Sequence, residues 1–407
     1  MDRLRIGICG LGGRGYALLN ILLSMPEADV RAGCDLYDFR RDRFTAAVKE
    51  KYGKTPVVSE HYEEIVCRSD IDAVLICASW EAHVDIAVRA MEAGKITALE
   101  VGGAYSLDDC WRLVRTYERT KVPFFFMENC CYNKSELLAT SLVRAGVFGD
   151  IVHCHGSYGH DLREEVAYGE IRKHYRLRNY LLRNCDNYPT HELGPIAKIL
   201  GINRGNRLLS LVSVASRSAG MADYIRDRKD EALYKYGPFR QGDVVNTVIR
   251  CADGSTITLR LDTTLPRIYD REFTVRGTKG LYMQTIDAVI EDKDCSEEKA
   301  ISEFFGSASR YEKKFLPEEW LKITDEEIKS GHGGMDAIML RSFIDKALNG
   351  KEMPLDVYDA ASWMSVSCLS EQSIDLGCAP VAIPDFTNGK WILRNKNDVL
   401  SLPGGAE

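Results

Sequence analysis

The hydrophobic rhythm of the chain changes once, near residue 130. Before that point, short runs that are apolar almost throughout alternate with amphipathic stretches. The runs are "LRIGICG" (4–10), "DVRAGCD" (29–35), "DAVLICA" (72–78), "ITALEV" (96–101) and "PFFFMEN" (123–129). Strands of this kind are covered on both faces, and helices between them imply a parallel sheet. The intervening stretches predict helices over 13–23, 40–51, 81–93 and 107–120. Together they predict an α/β, doubly wound Rossmann domain over residues 1–130.

Past residue 130 the period shortens. A helix predicted over 135–145 is followed by strand-like runs at 150–158, 207–216, 243–252, 255–263, 271–278 and 280–285. Asp253-Gly254 in "CADGST" is a hairpin signal between two of them. The expectation is a second, α+β domain over 131–407 with a large, mostly antiparallel open sheet, on which helices near 335–349 and 356–376 pack. An open sheet face can pair with a second copy, so a homo-oligomer is expected.

Composition narrows the function classes. With 407 residues, 45% hydrophobic and 28% charged, the chain can bury two cores. A net charge of −7 argues against a nucleic-acid or anionic-membrane partner. No apolar run approaches the roughly 20 residues that span a bilayer. Met1-Asp2-Arg3 leads directly into the first strand-like run, leaving no room for an export signal, and the thirteen cysteines have no paired spacing. A cytoplasmic protein with reduced thiols is expected.

Candidate chemistry begins at "GLGGRG", which comprises Gly10, Leu11, Gly12, Gly13, Arg14 and Gly15. It follows the first strand and opens the first helix, the context in which G-x-G-x-x-G cradles a pyrophosphate. Asp35 follows at the end of the second strand-like run, where a carboxylate accepts from a ribose 2′-OH and favours NAD. Arg40 and Arg41 beside it keep NADP open. Glu100, Trp80, His83 and Asn129 fall at later strand ends, the edge at which open α/β sheets bind ligands, and join the cofactor set. His153 and His155 share a strand face without completing a tetrahedral set with His160 and Asp161, so no metal is expected.

These motifs, with "HVDIAVRAMEAGKITALE" (83–100), resemble the Gfo/Idh/MocA oxidoreductases. "MENCCY" (127–132), "HYRLRN" (174–179), "NYPTHELGPIAKILGINRGNR" (187–207), "DTTLPRIY" (262–269) and "GHGGMD" (331–336) are similar to one branch, the NAD-dependent glycosidases of glycoside hydrolase family 109. Activity on α-N-acetylgalactosaminides is what that branch is best known for. In the related sugar dehydrogenases, the stretch after the fifth strand reads Glu-Lys-Pro, and the lysine assists proton transfer. Here Val101 and Gly102 stand in its last two places, and Gly102 in place of proline opens the expectation of a wider pocket without a cis peptide.

The resemblance implies NAD as a regenerated cofactor and a redox route to hydrolysis. In that route C3 of the sugar is oxidised, the acidified C2 proton leaves, the C1 substituent is eliminated, water adds and C3 is reduced again. His191 is expected to accept the C3-OH proton, with Tyr188 or Tyr269 acting at C2 or at the leaving group. Arg176 holds substrate or enolate charge, Tyr132 positions the sugar, and His160 lines its pocket. If a helix begins at "YPTH", Tyr188 and His191 share one of its faces. A small glycoside or imported oligosaccharide is the expected substrate. A plain NAD-dependent sugar or inositol dehydrogenase, or a non-catalytic sugar sensor, are the alternatives. "GHGGMD" is either a loop at substrate or cofactor or a turn before the helix at 335.

Overall fold

A computed structural model describes residues 3–233 and 235–403. Residues 1–2 and 404–407 of the two expected units lie outside the described residues. The first half runs β1 (Leu4–Cys9), α1 (Gly13–Ser24), β2 (Ala28–Cys34), α2 (Asp38–Tyr52), β3 (Val57–Ser59), α3 (Tyr62–Val66), β4 (Ala73–Ile76), α4 (Trp80–Glu92), β5 (Ile96–Leu99), α5 (Leu107–Thr120) and β6 (Phe124–Phe126). The strands form a six-stranded parallel sheet in the order β3-β2-β1-β4-β5-β6. The pattern misses β3, whose three residues include two exposed valines and carry no apolar run.

Register decides where a ligand can sit. Cys9 pairs with Cys34 and with Ile76, Ile76 with Leu99, and Leu99 with Phe126. The residues that follow, Gly10, Asp35, Cys77, Glu100 and Met127, therefore stand level along one carboxyl edge.

The second half contributes α6 (Lys134–Arg144), β7 (Ile151–Gly159), α7 (Arg163–Ala167), α8 (Arg176–Leu182), α9 (Thr190–Leu200), β8 (Leu208–Ala215), α10 (Gly220–Arg228), β9 (Val244–Cys251), β10 (Thr256–Asp262), β11 (Thr274–Gly277), β12 (Gly280–Met283) and β13 (Ala288–Glu291). The short helices α11 (Ser309–Phe315), α12 (Glu318–Leu321) and α13 (Asp325–Ser330) precede α14 (Met335–Asn349), α15 (Val357–Asp375) and β14 (Val381–Ala382). Eight strands form the second sheet, ordered β13-β12-β11-β7-β10-β9-β8-β14. All neighbours are antiparallel except β7 with β10. In β9 buried and solvent-facing residues alternate along the strand, the mark of a sheet covered on one face only. Among the described residues no helix is long and apolar enough to cross a membrane, and all thirteen cysteines are free.

One buried ionic lock explains a motif with no chemical role. α15 begins at Asp356, whose side chain accepts from the backbone N–H groups of Tyr358 and Asp359. Arg204 of "NRGNR" donates to Asp359 Oδ1 at 2.7 Å and Oδ2 at 2.9 Å, and to Asp356 Oδ2 at 2.9 Å. It thereby ties the loop after α9 to the start of the helix that packs between α5 and β8. Replacing Arg204 by methionine leaves buried Asp359 without its guanidinium and Asp356 with Arg394 alone. It is expected to lower unfolding stability by about 3 kcal/mol, read as a lower urea midpoint at unchanged slope. An unchanged midpoint would show that the lock contributes nothing.

Candidate active site

The glycine loop turns at Gly10, whose φ of +97° suits glycine, and a Cβ there would meet the Cys77 and Ala78 backbone at 2.4 Å. At Gly15 a Cβ would lie 2.0 Å from the Gly10 carbonyl oxygen, so α1 can approach β1 only without one. By contrast a Cβ on Gly13 would meet nothing within 4 Å, and one on Gly12 only the Arg40 guanidinium, at 3.5 Å. That free space lies at the N-terminus of α1, whose first turn carries no acidic side chain. Asp35 accepts from Leu11 N at 2.8 Å and Tyr37 N at 3.1 Å, and Arg40 Nη1 stands 3.4 Å from its Oδ2. Open backbone, a helix N-terminus and a fixed carboxylate fit a dinucleotide.

The second half brings a proton-handling cluster to the same edge. α9 starts directly after Pro189, with Tyr188 just before the helix and His191 in its first turn. The Tyr188 hydroxyl lies 3.3 Å from His191 Nε2, and His191 Nδ1 lies 2.7 Å from Glu128 Oε1. Glu128 is fully buried just beyond β6 and also accepts from Cys130 N at 3.0 Å. Burial alone would raise its pKa, but the His191 ring and these donors hold it below the usual carboxylate range. A carboxylate here makes Nδ1 the donor and leaves Nε2 to exchange a proton with the tyrosine or with substrate. Pro195 has no N–H, which leaves the His191 carbonyl without its usual helical donor.

Around this relay the aromatic rings close in. Tyr188 stacks on Trp80 with ring centroids 5.4 Å apart and lies 4.6 Å from Tyr158. The Tyr158 hydroxyl lies 3.2 Å from His160 Nδ1, and the His160 ring meets Tyr269 edge-on at 5.1 Å. Arg176 opens α8 with its guanidinium 4.9 Å from the Tyr188 ring centre, 5.2 Å from Trp80 and 5.9 Å from Tyr158. Glu165 comes within 2.8 Å of Arg176 Nε outside hydrogen-bond geometry, and buried Nη1 has no partner. Burial pushes the Tyr158 phenol up to about 12 and raises Tyr188 and Tyr269 as well. It lowers His160, favouring the neutral form of that ring.

Five of the expected substrate-side residues, Tyr188, His191, Tyr269, Arg176 and His160, thus come together, and Tyr132 does not. The tight turn after β6 sends Tyr132 into the core, where its hydroxyl donates to Ser342 Oγ at 3.4 Å and its ring is fully buried. His83 also points inward, with Nε2 3.0 Å from the Ala78 carbonyl oxygen, and supports the β4–α4 turn from within. Gly102 does not widen the pocket: a Cβ there would lie 2.5 Å from the Trp80 ring, so the indole occupies the space. Among the described residues the cis peptide is Gly237–Pro238, and Val101 is buried where a lysine would stand. Asn129 and Glu100 do sit at the edge, joined through Arg14 and Asp336.

Glu128, Tyr158 and Asp336 escape the sequence reading. The available signal was an acidic residue at the end of an apolar strand run, which marked Glu100 and applies equally to Glu128. Glu128, Cys130 and His191 place three potential metal-ligand atoms within 4.8 Å of one another. Arg271 Nη1 already lies 3.4 Å from Cys130 Sγ, and the Glu128–His191 contact is a complete hydrogen bond, so the trio is read as a relay.

Fold and cleft define a class, the oxidoreductase-type proteins with an NAD-binding Rossmann domain. Residues 4–128 match "Oxidoreductase family, NAD-binding Rossmann fold". Residues 132–393 match "Glycosyl hydrolase 109, C-terminal domain". The chain belongs to glycosyl hydrolase family 109. It is 36% identical to a glycosyl hydrolase family 109 protein of Parabacteroides distasonis over 98% of this chain and 90% of that one. It is 35% identical to the alpha-N-acetylgalactosaminidase of Tannerella forsythia, over 96% and 88% respectively. Among solved structures, levoglucosan dehydrogenase in complex with NADH and levoglucosan shares the fold, with TM-score 0.70 at 18% identity over 94% of this chain and all of that one. So does myo-inositol 2-dehydrogenase from Lactobacillus plantarum, with TM-score 0.65 at 16% identity over the same shares.

The inward histidine has a measurable consequence. Burial pushes the His83 pKa from 6.5 down to about 4, so the ring is neutral in the folded chain and the unfolded chain binds the proton more readily. The stability this gives is complete above about pH 6.5 and is lost as pH falls towards about 4. His83→Gln keeps a donor for Ala78, and its urea midpoint is expected to fall less steeply across that window. A parallel decline in both proteins would remove His83 as the cause.

Proposed function

We propose that this chain hydrolyses a glycoside, an N-acetylgalactosaminide or related hexoside, by the redox-neutral route with NAD as resident cofactor. The observation that carries this reading is the Glu128–His191–Tyr188 relay at the sheet edge, beside a β5 end that has Val101 in place of a lysine. NAD supplies a reversible hydride acceptor, held by the glycine loop and by Asp35 on its ribose. His191 Nε2 takes the proton of the C3 hydroxyl, and the Glu128 carboxylate stabilises the imidazolium that results. A tyrosine whose phenol titrates high gives and takes protons at C2 and at the leaving oxygen, the roles of Tyr188 and Tyr269. The unpartnered Arg176 Nη1 donates to the oxygen that becomes negative when C2 loses its proton. Trp80 and Tyr158 exclude water beside these groups. The same curtain of aromatic rings favours a small glycoside or an oligosaccharide end over a buried link within a long chain.

The test is to incubate the protein with nitrophenyl α- and β-glycosides in D2O and follow phenol, NADH absorbance and deuterium at C2. Phenol release with deuterium at C2 and no accumulating NADH is expected. Release without C2 exchange overturns the elimination route, and NADH accumulating on free sugar without any glycoside cleaved marks a dehydrogenase. Binding of NAD and sugar with no turnover marks a sensor. His191→Ala is expected to abolish turnover while leaving NAD bound. Glu128→Gln keeps the shape but frees the ring tautomer, and is expected to lower kcat by about a hundredfold or more with KM little changed. Unchanged kcat in Glu128→Gln would remove the carboxylate from the relay.

A further inference from the structure

The "GHGGMD" stretch has no part in the relay, yet it builds the most heavily bonded carboxylate at the cofactor edge. Asp336, fully buried in the first turn of α14, accepts Arg14 Nη1 at 2.6 Å on Oδ2 and Nη2 at 3.0 Å on Oδ1. It also accepts Asn129 Nδ2 at 2.8 Å and His332 Nδ1 at 2.7 Å. The remaining donor of the fork, Arg14 Nε, goes to Glu100 Oε1 at 2.7 Å. Burial alone would raise the Asp336 pKa, but the Arg14 guanidinium holds it well below the usual range, so the pair is ionic. The loop before α14 has positive φ at His332, Gly333 and Gly334, a turn tight enough to fold His332 back onto the carboxylate.

Four segments meet here: the glycine loop through Arg14, the end of β5 through Glu100, the turn after β6 through Asn129, and α14 of the second half through Asp336. Arg14 belongs to the loop whose backbone faces the space that fits a pyrophosphate. Lifting that loop away from the second half would break a bidentate ion pair and leave the buried Asp336 carboxylate without its guanidinium, held only by Asn129 and His332.

We propose that Asp336, positioned by His332, is a clasp on Arg14 that holds the glycine loop closed and keeps the dinucleotide on the protein between turnovers. The proposal rests on the redox-neutral reading above. A dehydrogenase must release its reduced cofactor each cycle, whereas a chain that returns the hydride to the same sugar has no need to open. Asp336 and His332 act through Arg14 and are positioning residues.

The experiment measures NAD release directly. Protein loaded with NAD is desalted, then mixed with excess alcohol dehydrogenase and ethanol, so that each NAD molecule released appears as NADH fluorescence. Asp336→Asn keeps the shape and removes the charge, and is expected to release NAD at least about tenfold faster than the parent. His332→Gln, a change at an exposed side chain, is expected to shift release in the same direction by less. Unfolding midpoints of the NAD-free proteins separate loss of the clasp from general loosening, because a clasp changes release without a matching fall in midpoint. Parental release rates in both variants overturn the proposal, and if Asp336→Asn does not fold, a parental rate in His332→Gln does so alone. A parent that retains no NAD after loading overturns the redox-neutral reading itself, and the clasp with it. That result differs from a parent that retains NAD as well as its variants do.

Discussion

A fully buried glutamate hydrogen-bonded to one histidine is the constraint on which the active-site geometry depends. Glu128 lies beyond the last strand of the first sheet and His191 in the first turn of a helix that packs on the second sheet, and the 2.7 Å contact between them joins the halves at their chemical centre. A carboxylate in so apolar a place is stable only with its donors in position. The donors are therefore fixed, and with them the face of the imidazole turned towards Tyr188. Tyr188 and Tyr158 meet that fixed ring edge-on, and the Arg176 guanidinium lies over both tyrosines.

On the proposed reading, one fold carries its proton transfers at a different place. In the sugar dehydrogenases the chain resembles, proton transfer is assisted by a lysine at the end of the fifth strand. Here that strand end is apolar, and Trp80 fills the space over Gly102. The groups proposed to carry protons, Tyr188, His191 and Tyr269, come instead from the second half. A lysine serves one proton transfer at one carbon, whereas elimination and water addition require groups at C3, C2 and the leaving oxygen. On the proposed reading, a cluster of high-titrating tyrosines around an oriented histidine supplies those groups.

Local chemistry was legible in the sequence, and distant pairing was not. Gly10, Gly15 and Asp35 are readable because their roles follow from a strand, a turn and a helix adjacent in the chain. Tyr188 and His191 are readable for the same reason, three residues apart at a helix start. Glu128 meets His191 across 63 residues and Asp336 meets Arg14 across 322, and no local period reports such contacts. Tyr158 is hidden in the ordinary alternation of β7. Tyr132, named from its motif, lands in the core because the turn after β6 points it there, a detail of backbone direction that residue type does not carry. In the fold, the long apolar runs were found within a few residues of their ends. Missed were β3, β13 and β14, each of four residues or fewer, too short for a period to register.

The most direct measurement follows the cofactor through one turnover with a nitrophenyl glycoside carrying deuterium at C3, quenched at successive times and analysed by mass spectrometry. Redox-neutral hydrolysis predicts that bound NAD gains the deuterium while the phenol is leaving, and that the label is back on C3 of the product sugar when the turnover ends. Hydrolysis that runs to completion with no deuterium ever appearing on the cofactor would contradict it.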